Sequence, residues 1–80
     1  MELAERALLR VFRDGQPIGI GFLIGERLAL TCAHLVAGDR VDVDFPMLGE
    51  GCAARVVHRR TGLDIVGLEL ESVPQRAKAR

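Results

Sequence analysis

The chain has no tryptophan, no tyrosine and only three phenylalanines among its 80 residues. Any core must therefore be filled by Leu, Val, Ile and Ala, which pack well but gain little from large rings. Cysteine is scarce too. Cys32 and Cys52 are too few for the disulfide framework of a small secreted domain. Neither charge is in excess, with 11 basic and 11 acidic side chains, so no general attraction to nucleic acid or anionic membrane is expected. No apolar run approaches the roughly 18–20 residues that cross a bilayer as a helix. The opening Met1-Glu2-Leu3-Ala4-Glu5-Arg6 carries acids and no secretory hydrophobic region. These absences lead to the expectation of a cytoplasmic protein with reduced thiols and no nucleic-acid or membrane partner.

Length bounds the chain at one domain, of a size that buries only roughly 60–65% of its unfolded surface. Within it, short apolar segments are separated by turn signals about every 8–12 residues, the pattern of a small β-barrel or sandwich. The first segment, Ala7–Arg13, is a strand in its Val11-Phe12 part, whereas Met1 to Leu9 also fits a short helix. After Asp14-Gly15 comes Ile18–Ile24, with Ile18, Ile20 and Phe22 on one face and Gly19 and Gly21 on the other. Glycines alternating in a strand mark bends or close backbone approach. The turn Gly25-Glu26-Arg27 and the return strand Leu28–Thr31 complete a hairpin. Cys32–Val36 then leaves the sheet as a single helical turn.

Arg40–Phe45 alternates strictly, placing Val41, Val43 and Phe45 inward and the acids outward. Cys52–Arg59 and Asp64–Leu70 supply the fifth and sixth strands. Six strands with short connections are enough to close one antiparallel barrel, and closure removes the edges that template aggregation. The expected organisation is an all-β barrel over residues 1–73 and a linker or frayed tail over 74–80. The basic clusters His58-Arg59-Arg60 and Arg76 to Arg80 read as solvated surface.

Two residues stand out chemically. His34 ends an apolar strand, and Asp64 opens another. Singly, each has a plain structural explanation, a boundary histidine and a turn aspartate. Their order is more specific. Gly19-Ile20-Gly21-Phe22-Leu23-Ile24, then Leu30-Thr31-Cys32-Ala33-His34, then Asp64-Ile65-Val66-Gly67-Leu68-Glu69-Leu70 resembles the trypsin-like serine proteases over about residues 7 to 72. In that family a G-x-G-F-like strand precedes T-A-A-H, and a D-I-A-L-L-x-L strand follows. The resemblance implies the first of two barrels, with His34 as general base and Asp64 as the carboxylate that orients it. Such a carboxylate is expected to be buried, fixing the imidazole tautomer and stabilising the imidazolium.

The chain departs from that pattern in four ways. Cys32 replaces the first alanine of T-A-A-H, a small-for-small change. No cysteine directly follows His34, so the disulfide that pins the histidine loop in many secreted members has no counterpart. Gly67 stands where the family prefers leucine, so the sixth strand is expected to pack more loosely. The largest departure is the missing nucleophile, which in the family lies in Gly-Asp-Ser-Gly-Gly on a second barrel. The only serine here is Ser72, without neighbouring glycines, and it reads as a surface residue. A base and its orienter with no nucleophile have nothing to activate, so this chain alone is expected to be inactive.

Two other readings compete. A single barrel could serve as a non-catalytic binding or sensing module. Cys32, His34, Cys52 and His58 form the ligand set of a structural zinc site, but their spacing is poor for one, so no metal and no cofactor is expected. As the first barrel of a pair, the chain is expected to expose an apolar face and to self-associate. Its substrate would be a peptide or protein, once a second barrel completes the site.

Overall fold

The computed structural model describes residues 6–74 and Ala77. Its six strands are β1 (Leu8–Arg13), β2 (Gln16–Leu23), β3 (Leu28–Cys32), β4 (Arg40–Phe45), β5 (Glu50–Arg60) and β6 (Ile65–Leu70). All pair antiparallel, in the order β1-β2-β3-β6-β5-β4, and β1 meets β4 to close the barrel. The expected fold is therefore the observed one. A single 3-10 turn, Ala33–Leu35, follows β3, and a second, Thr61–Leu63, precedes β6. The helical alternative for the N-terminus does not hold at Leu8 and Leu9, which pair with Phe22 and Gly21. Leu9 is wholly buried, and a strand delivers it to the core. Of the rest of that segment, Arg6 is helical and Ala7 is a turn, and residues 1–5 lie outside the described residues.

Apart from Phe45 the core is aliphatic, as the composition requires. Leu9, Val11, Val43, Phe45, Val66, Leu68 and Leu70 line the interior, closed by Ala29, Ala33, Val36 and Ala54. In β4, Val43 and Phe45 are buried and Val41 is half-buried, so the alternation of that strand reads directly onto the barrel. Of the expected tail, only Pro74 and Ala77 are described. Ala77 is 3% exposed, packs with the core and donates its N–H to the Pro74 carbonyl at 2.9 Å.

Strand β2 turns its apolar face outward. Ile20 and Phe22 are 55% and 45% exposed, and Gly21 faces the interior. A Cβ on Gly21 would lie 2.5 Å from the Leu30 carbonyl oxygen and 3.1 Å from Leu9 Cδ1. Only a residue without a side chain lets β2 lie this close to β3. Ile18 escapes the outward face because the β1–β2 register slips there, Val11 pairing with Gly19 and Phe12 with Pro17. That extra residue is a bulge, and Ile18 packs against the core.

The glycine in β6 behaves differently. Gly67 is buried, but a Cβ there would meet His58 Cβ at 3.4 Å and Leu28 Cδ1 at 3.7 Å, which is ordinary contact. Room exists for one methyl. Gly21→Ala is accordingly expected to destabilise the barrel by about 1–3 kcal/mol or more, because backbone must move. Gly67→Ala is expected to be neutral or to stabilise by about 0.5–1 kcal/mol, by restricting the unfolded chain. Urea midpoints of the two variants check the contrast, and equal shifts would contradict it.

Candidate active site

The β3–β6 ladder brings His34 and Asp64 together. Its register runs from Leu28↔Glu69 to Cys32↔Ile65. One step further, the Ala33 N–H donates to the Asp64 carbonyl at 3.0 Å, so the pairing continues into the loop. His34 is the next residue. Asp64 takes a left-handed conformation, φ 55°, after the Thr61–Leu63 turn. Aspartate tolerates that region better than most residues. This turns its carboxylate back towards the end of β3.

The carboxylate then holds His34 at two points. Oδ1 accepts the His34 backbone N–H at 2.8 Å, and Oδ2 lies 2.6 Å from Nδ1 of the ring. With Asp64 ionised, the ring proton sits on Nδ1 and the lone pair on Nε2 faces away from the carboxylate. The two hydrogen bonds, led by the one from the backbone N–H, hold the Asp64 carboxyl below its ordinary value. Folding therefore weakens proton binding to Asp64. The stability this contributes is complete above the ordinary carboxylate range and is lost as pH falls through the lowered value.

The pair is more open than the resemblance implies. The side chains of His34 and Asp64 are 67% and 47% exposed, so the expectation of a buried carboxylate is corrected. Both lie at the rim, past the ends of β3 and before β6, where one barrel alone covers neither.

The histidine loop is braced without a disulfide. Arg59 on β5 donates from Nη1 to the Ala33 carbonyl at 3.3 Å and from Nη2 to the Gly38 carbonyl at 3.0 Å. Arg13 on β1 donates to the Leu35 carbonyl at 3.3 Å. Two guanidinium groups thus pin the segment that carries His34 from two different strands, β5 and β1. Sequence reasoning assigned Arg59 to solvated surface. Its partners lie 26 and 21 residues away, and no local pattern announces them.

Two hollows flank the site. One, of about 300 Å3, has walls of Ile20, Phe22, Leu30 and Ile65 and reaches Cys32 and Asp64. It is the outward apolar face of β2, β3 and β6. The other, about 570 Å3, runs between Phe12, Arg13, Leu35, Val36, Arg40 and Val41 on the other flank of the loop. Ser72 belongs to neither. It is exposed beyond the far end of β6, roughly 20 Å of strand away from Asp64.

The four-ligand zinc set is not gathered. Cys52 lies on β5, where its thiol donates to the Ser72 carbonyl at 3.1 Å, and His58 is further along that strand, opposite Gly67. Cys32 and His34 remain together at the end of β3.

Among solved structures, the chain is similar to the Rv3671c protease in its inactive form. The TM-score is 0.74 and the identity 26%, over 89% of this chain and 35% of that one. It is similar also to neuropsin, a serine protease expressed in the limbic system of mouse brain. Here the TM-score is 0.63 and the identity 16%, over 98% of this chain and 43% of that one. The fold is that of a trypsin-like serine-protease barrel. The trypsin-like barrel described here spans less than half the length of either neighbour. No family model matches the chain, and no curated protein matches it.

Proposed function

We propose that this trypsin-like barrel is the base-bearing half of a serine endopeptidase, with His34 as general base and Asp64 as its orienting group. The observation that carries the reading is the two-point hold of Asp64 on His34, through the backbone N–H and through Nδ1. A carboxylate that merely bounded a strand would not need both. The hold fixes the tautomer, leaving Nε2 ready to take a hydroxyl proton and later return it to a leaving amine. The nucleophile and the oxyanion-stabilising donors come from a second barrel, either continuous with this chain or separate from it. The substrate class is a peptide or protein chain.

The surface beside the pair suits that role. Ile20, Phe22, Leu30 and Ile65 lie together on the outside, and apolar side chains clustered there gain by being covered. A second barrel seated on this face would exclude water from His34 and Asp64. Uncovered, the face drives the isolated chain to associate with itself. Sedimentation velocity is expected to show concentration-dependent association that Phe22→Asp reduces. A chain that stays monomeric at high concentration would speak against an interface here.

The reading is tested by activity in two states. The chain alone, offered a fluorogenic peptide, is expected to show no turnover sensitive to a serine-directed inhibitor. Supplied with a barrel containing a Gly-Asp-Ser-Gly-Gly segment from the same protein, it is expected to hydrolyse peptides, and His34→Ala is expected to abolish this. Turnover by the chain alone, or hydrolysis that survives His34→Ala, would overturn the assignment.

A further inference from the structure

Cys32 ends β3, His34 lies in the 3-10 turn that follows, and the fold brings Asp64 to both. One donor atom each from Cys32, His34 and Asp64 lies within 4.8 Å of the others, the one such group of three among the described residues. We infer that these three side chains form a binding site for a soft divalent transition metal such as zinc, and that the ion switches off the histidine as a base.

The donor set has the chemistry for it. A thiolate, a neutral imidazole and a carboxylate balance the charge of a divalent ion. Sulfur with nitrogen selects zinc or cadmium over magnesium or calcium. Three protein ligands leave a fourth, tetrahedral position for water. Binding requires modest movement. Nitrogen and oxygen ligands of a tetrahedral zinc sit roughly 3.3 Å apart, so the 2.6 Å contact between His34 and Asp64 must open and the thiol must close in. All three side chains are exposed enough to rotate without disturbing the core.

The proton balance settles the effect on the imidazole. Cys32 gives up its thiol proton to solvent on binding the ion. If the ion takes Nδ1, the ring proton moves from Nδ1 to Nε2, which then donates instead of accepting. If it takes Nε2, the lone pair that would receive the nucleophile's proton is occupied. Either nitrogen leaves His34 unable to act as a base. This consequence rests on the protease reading, whereas the metal site itself does not.

Cadmium chloride titrated into the intact chain tests the inference, read by the ultraviolet cadmium–thiolate charge-transfer band and by the His34 ring signals in NMR. One equivalent is expected to produce the band and shift the His34 signals, zinc to displace it and magnesium not to. The band is expected to survive Cys52→Ser and His58→Ala and to be lost in Cys32→Ser. Unchanged thermal melts without metal would show that these exposed substitutions leave the fold intact. No band, a band that persists in Cys32→Ser, or His34 signals that do not move would overturn the site. Binding is read on this chain and hydrolysis on the completed protein, so either reading can fail without the other.

Discussion

Asp64→Asn, in a protein completed by its nucleophile barrel, lowers kcat on the order of 10^4-fold while the barrel stays folded. The geometry gives the reason. The His34 backbone N–H needs an acceptor, and the asparagine carbonyl oxygen takes the place of Oδ1 at 2.8 Å. The amide nitrogen then stands where Oδ2 faced the ring, and it donates. Nδ1 becomes an acceptor, and the ring proton is driven to Nε2. The imidazole is held in place but in the wrong tautomer. Steady-state kinetics with a fluorogenic peptide check the loss. A decrease of tenfold or less would mean that the tautomer is fixed by something other than Asp64.

Phe45→Ala removes about 3–5 kcal/mol of stability, as expected for the largest wholly buried side chain of the core. A barrel of this size holds only about 3–5 kcal/mol in total from a single core. The variant is therefore expected to be largely unfolded at room temperature, as circular dichroism and urea titration would show. The same chemical change at Phe22, 45% exposed on the outer face, is expected to cost less than about 1 kcal/mol. Similar losses at the two positions would contradict the assignment of one to the core and the other to an interface.

These two phenylalanines also mark how far the sequence can be read. Phe45 lies in a strand whose apolar and acidic residues alternate, and period-two alternation maps directly onto the inside and outside of a barrel. Phe22 lies in a strand that also alternates, yet its Ile20 and Phe22 face out. Hydrophobic periodicity finds the two faces of a strand but assigns the apolar one to the core by default. That default fails where glycine holds the inner face because the neighbouring backbone is too close for a Cβ, as at Gly21.

The His34–Asp64 pair was legible through the order of the motifs that carry it, because singly a histidine just past β3 and an aspartate just before β6 have plain structural explanations. The supports around it were not. Arg59 reaches its carbonyls across the barrel, and Asp64 owes its direction to a left-handed φ that no side-chain pattern encodes. Cys32 was read beside His34 as part of a four-ligand set, of which the fold keeps only these two together. Cys32 ends β3 and His34 lies in the 3-10 turn that follows, so strand alternation does not foretell that they share a side. The addition of Asp64 to them depends on the β3–β6 register, which no local pattern encodes.

The central claim is a specific protonation geometry at His34, and nitrogen-15 NMR of the imidazole in the isolated chain measures it. Neutral His34 should carry its proton on Nδ1, with Nε2 bare, and Asp64→Ala should erase that preference. A ring protonated on Nε2, or one indifferent to the loss of the carboxylate, would show that the two residues are neighbours without being partners.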